Sequence, residues 1–131
     1  ADTMQIHQSA EDYLETILML NQRMGRVRSI DVVNELGYTK ASVSIAMKKL
    51  RENGYIAVDG EGNLTLLEPG REIAERIYSR HRLLTHFFVQ LGVDEEVAAE
   101  DACKAEHILS EQTLEKIREY ALLHDAQDSI K

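Results

Sequence analysis

The chain has one cysteine, one proline and no tryptophan in 131 residues. A single thiol cannot close an intramolecular disulfide, so a disulfide-stapled secreted framework is excluded and a reducing cytoplasm is the expected setting. No apolar run is long enough to span a bilayer, and no secretory leader is read at the start, so no membrane association is expected. There is no internal repeat and no low-complexity tract. With proline confined to position 69, glycines mark the joints at 25, 37, 54, 60, 62, 70 and 92. The length suits one typical domain, or two small units sharing a core, without staples.

The formal net charge of −8 argues against a generic nucleic-acid binder. The distribution of that charge points the other way. Residues 22–56 carry seven Lys/Arg against three Asp/Glu, whereas residues 1–21 carry none against four and residues 83–131 carry four against eleven. A basic segment suited to phosphate lies between acidic segments suited to cations.

Apolar residues at helical spacing (Tyr13, Leu14, Ile17, Leu18, Leu20, Met24) predict a first helix over residues 9–24. Ser29 is expected to cap a short helix stopped by Gly37, and Thr39 to cap a second reaching about residue 53. Val43, Ala46, Met47 and Leu50 give that second helix an inward stripe. Residues 55–58 and 64–67 read as two strands around a loop at 59–63. Pro69-Gly70 opens a long helix to about residue 91. Asp94 is expected to cap a helix to about residue 109, and Ser110 a last one to about residue 124, with a frayed polar tail beyond. The fold class is therefore mainly α with a small β-hairpin. A winged helix-turn-helix domain is expected over residues 4–70, followed by a helical domain over residues 71–131.

A recognition helix enters the major groove by its N-terminal end. Here that end offers Thr39, Lys40, Ala41, Ser42 and Ser44. Hydroxyls can bond base edges, and the Ala41 methyl can pack on a thymine methyl. Arg26, Arg28, Lys48, Lys49 and Arg51 suit phosphate, which sets affinity and register more than sequence. Asp59 and Glu61 at the wing tip would repel phosphate, so the wing is expected to contribute little.

Outside the reader segment, Asp12 and Glu15 stand three residues apart, and Cys103, Glu106 and His107 fall within one helical turn. With His81, these are three carboxylates, two imidazoles and one thiolate. The set suits divalent first-row metals and is large enough for two ions per subunit. His7, His86 and His124 have no such company and read as ordinary surface or core residues.

At these residues the chain resembles a known family. The Asp12-x-x-Glu15 step, the helix-turn-helix, Ser79-Arg80-His81-Arg82-Leu83-Leu84 and Asp101-Ala102-Cys103-Lys104-Ala105-Glu106-His107 are similar to metal-dependent repressors related to the diphtheria toxin repressor. They are most like the manganese transport regulator branch, which lacks the SH3-like third domain of the iron branch. The resemblance implies that Asp12, Glu15 and His81 hold one ion, that Glu106 bridges, and that His107 serves a second ion, with a backbone carbonyl nearby. Cys103 departs from the manganese branch, which has glutamate there, and resembles the iron branch. Thr85 and Ala99 stand where the iron branch has further ligands, glutamate and histidine, so the chain is a hybrid. Manganese prefers oxygen donors while a thiolate favours iron, cobalt or zinc. The expected effector is Mn²⁺ or Fe²⁺, with Co²⁺ or Zn²⁺ as substitutes in vitro.

Together these features point to a metal-operated repressor of metal-homeostasis genes. Without metal, the acidic groups of the two halves repel; a cation ties them together and lowers the ordering cost of gripping DNA. Ile108, Leu109, Leu114, Ile117 and Leu123 exceed what a thin helical layer need bury. They point to a homodimer through the C-terminal helices on a palindromic operator. The alternative is a winged-helix regulator answering to a small organic ligand. A two-metal hydrolase is disfavoured, because nothing in the sequence supplies a separate acid or base and the basic helix would go unexplained.

Overall fold

The computed structural model describes residues 8–130, with side chains to residue 125. His7 lies outside the described residues. The chain divides into two compact units, residues 1–76 and 77–131, and the division falls inside one continuous helix.

In the first unit, α1 (Gln8–Met24) buries Tyr13, Leu14, Ile17, Leu18 and Leu20 along one face. Burial, with smaller effects from Tyr38 and Asp12, pushes the Tyr13 phenol above its usual range. A short helix, α2 (Ser29–Leu36), follows. Ser29 is its first residue and not its cap. Arg28 holds the cap position, its N–H donating to Asp31 Oδ2 at 2.9 Å, so the carboxylate moves the start one residue earlier than expected. Gly37 ends α2 in the left-handed conformation at φ 71°, and its N–H returns to the Val33 carbonyl. Thr39 caps α3 (Lys40–Glu52) as expected: its Oγ1 accepts from the Ser42 N–H at 3.1 Å.

The hairpin pairs β1 (Ile56–Val58) with β2 (Leu64–Leu66) in antiparallel register, Ala57 opposite Thr65. The segment before α2 extends this ribbon: Leu64 N–H donates to the Val27 carbonyl at 2.7 Å, and Arg28 bridges to Asn63. Asp59 organises the hairpin loop. Its Oδ1 accepts from the N–H groups of Glu61 and Asn63, and its Oδ2 from the Asn63 side-chain amide, all at 2.9 Å. The Asn63 side-chain bond is the largest cause holding the Asp59 carboxyl below its ordinary range. Asp59 at the wing tip is therefore a structural clasp. Val27, Val32, Val43, Met47, Leu50, Ile56, Leu64, Leu66 and Ala74 join them in this unit's buried apolar set.

α4 (Glu68–Gln90) begins in the first unit and continues into the second. Its opening is constrained by Gly70, where a Cβ would stand 2.2 Å from the Tyr55 carbonyl oxygen. That oxygen already accepts from the Leu67 N–H.

The second unit adds α5 (Glu95–Ala105) and α6 (Glu111–Ile130). Leu84, Ala102 and Leu114 form its buried centre, with Leu83, Phe88, Ala105, Leu109 and Ile117 packed around them. Two expectations change. α5 stops at Ala105, because Ser110 caps the next helix, accepting from the Thr113 N–H at 3.2 Å, and the chain must turn first. The segment expected to fray is helical as far as Ile130. Asp94 sits at the N-cap of α5 without a side-chain cap bond. Among the described residues, no helix is long and apolar enough to cross a membrane.

Candidate metal centre and DNA-reading surface

The outward stripe of α3 follows from what it buries. Val43, Met47 and Leu50 face the core, which leaves Ala41, Ser44, Ile45 and Lys48 at helical spacing on the opposite side. Lys40, Ser42, Lys49 and Arg51 are exposed beside them. Thr39 Oγ1 donates to Ser42 Oγ at 2.9 Å, so these two hydroxyls engage each other in the cap. Arg26 and Arg28 are exposed at the ribbon, where Arg26 stands 4.0 Å from Glu61 and Arg28 lies alongside Gly62. Ile45 is an exposed residue of this face that sequence reasoning did not single out. It is 58% exposed in the middle of an outward stripe that is otherwise polar or small. The available signal was its position, four residues after Ala41 and off the inward stripe.

Each unit brings part of the ligand set together. In the first, Asp12 and Glu15 lie one turn apart on α1; Asp12 is half-buried and Glu15 is buried. In the second, Glu106 is completely buried in the turn after α5. His81 on α4 places Nδ1 3.0 Å from Glu106 Oε2, while His107 Nε2 stands 3.5 Å from Oε1. One carboxylate thus meets a different imidazole at each oxygen. The exposed Cys103 offers its Sγ within 4.8 Å of a Glu106 carboxylate oxygen. Although α5 ends early, Glu106 keeps right-handed helical angles (φ −60°, ψ −22°), so the expected grouping with Cys103 survives.

The donors fit a divalent transition ion: imidazole, carboxylate and thiol converge, and a buried carboxylate is costly unless a positive group accompanies it. The other two described histidines have other partners. His86 pairs with Asp125 at 2.9 Å, and His124 packs on Tyr120 with ring centroids 4.3 Å apart. Thr85 donates its hydroxyl to the His81 carbonyl at 2.8 Å, one turn back on α4.

The exposed apolar surface of the second unit differs from the expectation. Leu114, Leu109 and Ile117 are occupied by the unit's own core. Ile108 and Leu123 remain exposed, joined by Leu91, Val97, Tyr120 and Leu122.

Comparison with known proteins agrees with both halves. Residues 5–64 match the iron dependent repressor N-terminal DNA binding domain, and residues 67–123 match the iron dependent repressor metal binding and dimerisation domain. An uncharacterized HTH-type transcriptional regulator of Methanocaldococcus jannaschii is 36% identical over 113 residues, covering 85% of this chain and 90% of that protein. The HTH-type transcriptional regulator MntR of Bacillus subtilis is 32% identical over 123 residues, covering 94% and 87%. Among solved structures, a manganese-dependent transcriptional repressor in complex with manganese superposes with a TM-score of 0.78 at 28% identity, covering 86% of this chain and 52% of that one. The chain spans about half the length of such solved relatives. With its winged helix-turn-helix unit and a helical unit carrying clustered metal donors, the chain belongs to the iron-dependent repressor family of metal-dependent DNA-binding transcriptional regulators.

Proposed function

We propose that the chain is a Mn²⁺- or Fe²⁺-responsive repressor that binds operator DNA as a homodimer. The observation that carries this reading is the buried Glu106 carboxylate, flanked by His81 and His107, in a chain that also presents a basic recognition helix. The ligand set is Asp12, Glu15, His81, Cys103, Glu106 and His107. Its support is the spacing of these residues, the geometry within the second unit and the manganese regulators among the relatives.

Asp12, Glu15, His81 and Glu106 would hold an ion, and His107, with Cys103 nearby, would serve a second. A bound dication supplies positive charge to offset these acidic groups. Asp12 and Glu15 belong to the helix underlying the reader, whereas the other donors belong to the second unit. Neutralising them together lowers the ordering cost of DNA binding, and by linkage operator DNA tightens metal binding by the same factor. The Cys103 thiolate weights the preference towards Fe²⁺, with Co²⁺ and Zn²⁺ as substitutes. Ile108, Leu122 and Leu123 supply apolar surface for the dimer contact. The activity is regulatory and not enzymatic, and its setting is the cytoplasm.

An organic effector has less support. The cleft of about 900 Å³ between α1, the wing and the start of α4 is open and lined by groups such as Asn21, Arg26, Asp59, Arg71 and Glu75. Sites for organic ligands are mostly apolar enclosures.

The test is fluorescence anisotropy on duplexes enriched from a random pool in the presence of Mn²⁺ or Fe²⁺. Binding should rise with metal and fall with chelator; equal binding in both conditions refutes the reading. On the same duplexes, Ile45→Ala should weaken binding roughly fivefold, the worth of a methyl-sized contact or slightly more. Replacing thymine by uracil should weaken the wild type similarly and the variant hardly at all, because the thymine methyl is the apolar feature of the major groove. Insensitivity of the wild type to that replacement would remove Ile45 from base reading.

A further inference from the structure

We infer that Arg80 is a positioning residue for the metal centre, locking the Glu106–His107 turn to α4; the inference rests on the ligand reading above. α5 ends at Ala105, and the last carbonyls of a helix need partners from elsewhere. The Ala105 carbonyl accepts from the Ile108 and Leu109 N–H groups at 3.1 and 3.3 Å. The Glu106 carbonyl instead accepts from Arg80 Nη1 at 3.2 Å. The other guanidinium nitrogen of Arg80, Nη2, pairs with Glu111 in the first turn of α6.

The burial is asymmetric. The Arg80 side chain is 14% exposed, while that of Glu111 is 75% exposed. A cation is therefore drawn inward at the negative end of α5, where the helix dipole favours it. Its outer partner is a surface carboxylate that also suits the positive start of α6.

Arg80 and His81 are consecutive on α4, and together they hold Glu106 at two points. His81 meets the carboxylate and Arg80 takes the main-chain oxygen. Fixing both ends of one residue sets where the carboxylate points, and it carries His107 along as the next residue. A lysine could make one of Arg80's two contacts as a point charge, but it lacks the planar fork that spans the carbonyl and Glu111 together.

A plain helix cap would also explain the bond to the carbonyl, so the test separates stability from affinity. Co²⁺ and Mn²⁺ affinities are measured by competition with a chelating dye, and thermal midpoints are measured with and without metal, for wild type, Arg80→Met, Arg80→Lys and Glu111→Gln. Arg80→Met should weaken metal binding roughly 10- to 100-fold, as loss of a ligand-orienting partner does, and shrink the metal-induced rise in midpoint. Arg80→Lys should recover part of the affinity. Glu111→Gln, a surface change that loosens one of the two anchors of the guanidinium, should weaken metal binding in the same direction by a smaller factor than Arg80→Met. Equal midpoint losses with and without metal, at unchanged affinity, overturn the inference. If Arg80→Met does not fold, unchanged affinity in Glu111→Gln overturns it alone. A wild type that binds neither ion would instead defeat the ligand reading on which it rests.

Discussion

Glu106→Gln is expected to uncouple operator binding from metal. Glutamine keeps the shape of the side chain, so the completely buried pocket stays filled. What changes is charge and donor character. One oxygen that faces an imidazole becomes an NH₂ group that can donate but not coordinate. Both His81 and His107 lose the anion between them, since they approach the two oxygens of this one carboxylate. Affinity for Mn²⁺ should fall by about 100-fold or more, exceeding the loss from an outer-shell partner. Calorimetry with Mn²⁺ reads the affinity, anisotropy reads the operator response, and circular dichroism of the metal-free protein checks the fold. A variant that keeps its metal response would mean that Glu106 is not a ligand.

Gly70→Ala should be the most damaging single methyl addition in the first unit. Two effects oppose each other. Alanine is the better helix former by about 1 kcal/mol. Against that, the new Cβ would stand 2.2 Å from the Tyr55 carbonyl oxygen and 3.0 Å from its carbon, and backbone cannot swing aside as a side-chain tip can. Relief requires α4 to lift from the strand base and strains the Leu67-to-Tyr55 bond that closes the hairpin. Overpacking of this kind costs about 3 kcal/mol or more, so the net loss should be about 2 kcal/mol. Urea denaturation should show a lower midpoint at unchanged slope; a midpoint equal to wild type would show that the helix start relaxes freely.

The sequence was most legible where a local rule decides the outcome. Thr39 caps α3 and Gly37 stops α2 because a hydroxyl acceptor and a residue tolerant of positive φ are short-range requirements. It was less legible where neighbours compete. Ser29 lost its cap role to a carboxylate two residues on, and α5 lost its last turn to the cap of α6. Apolar spacing alone did not sort Leu109, Leu114 and Ile117 into the unit's own core and Ile108 and Leu123 onto its surface, since that depends on which helix packs on which. For the site, the one-turn spacing of Cys103, Glu106 and His107 was visible in the chain. The meeting of Glu106 with His81, 25 positions earlier, is a tertiary fact that spacing along the chain could not give; donor chemistry and family likeness pointed to it. Arg80 escaped notice because its acceptor is a main-chain oxygen, which no side-chain pattern marks.

The boundary between the two units falls at Arg76 and Ile77, in the interior of α4, with no loop between them. Proteases cut where backbone can unravel into an extended strand, and a continuous helix resists that. Gentle digestion should therefore find no natural scissile joint there, and gene fusions that exchange one half for another must splice helix to helix.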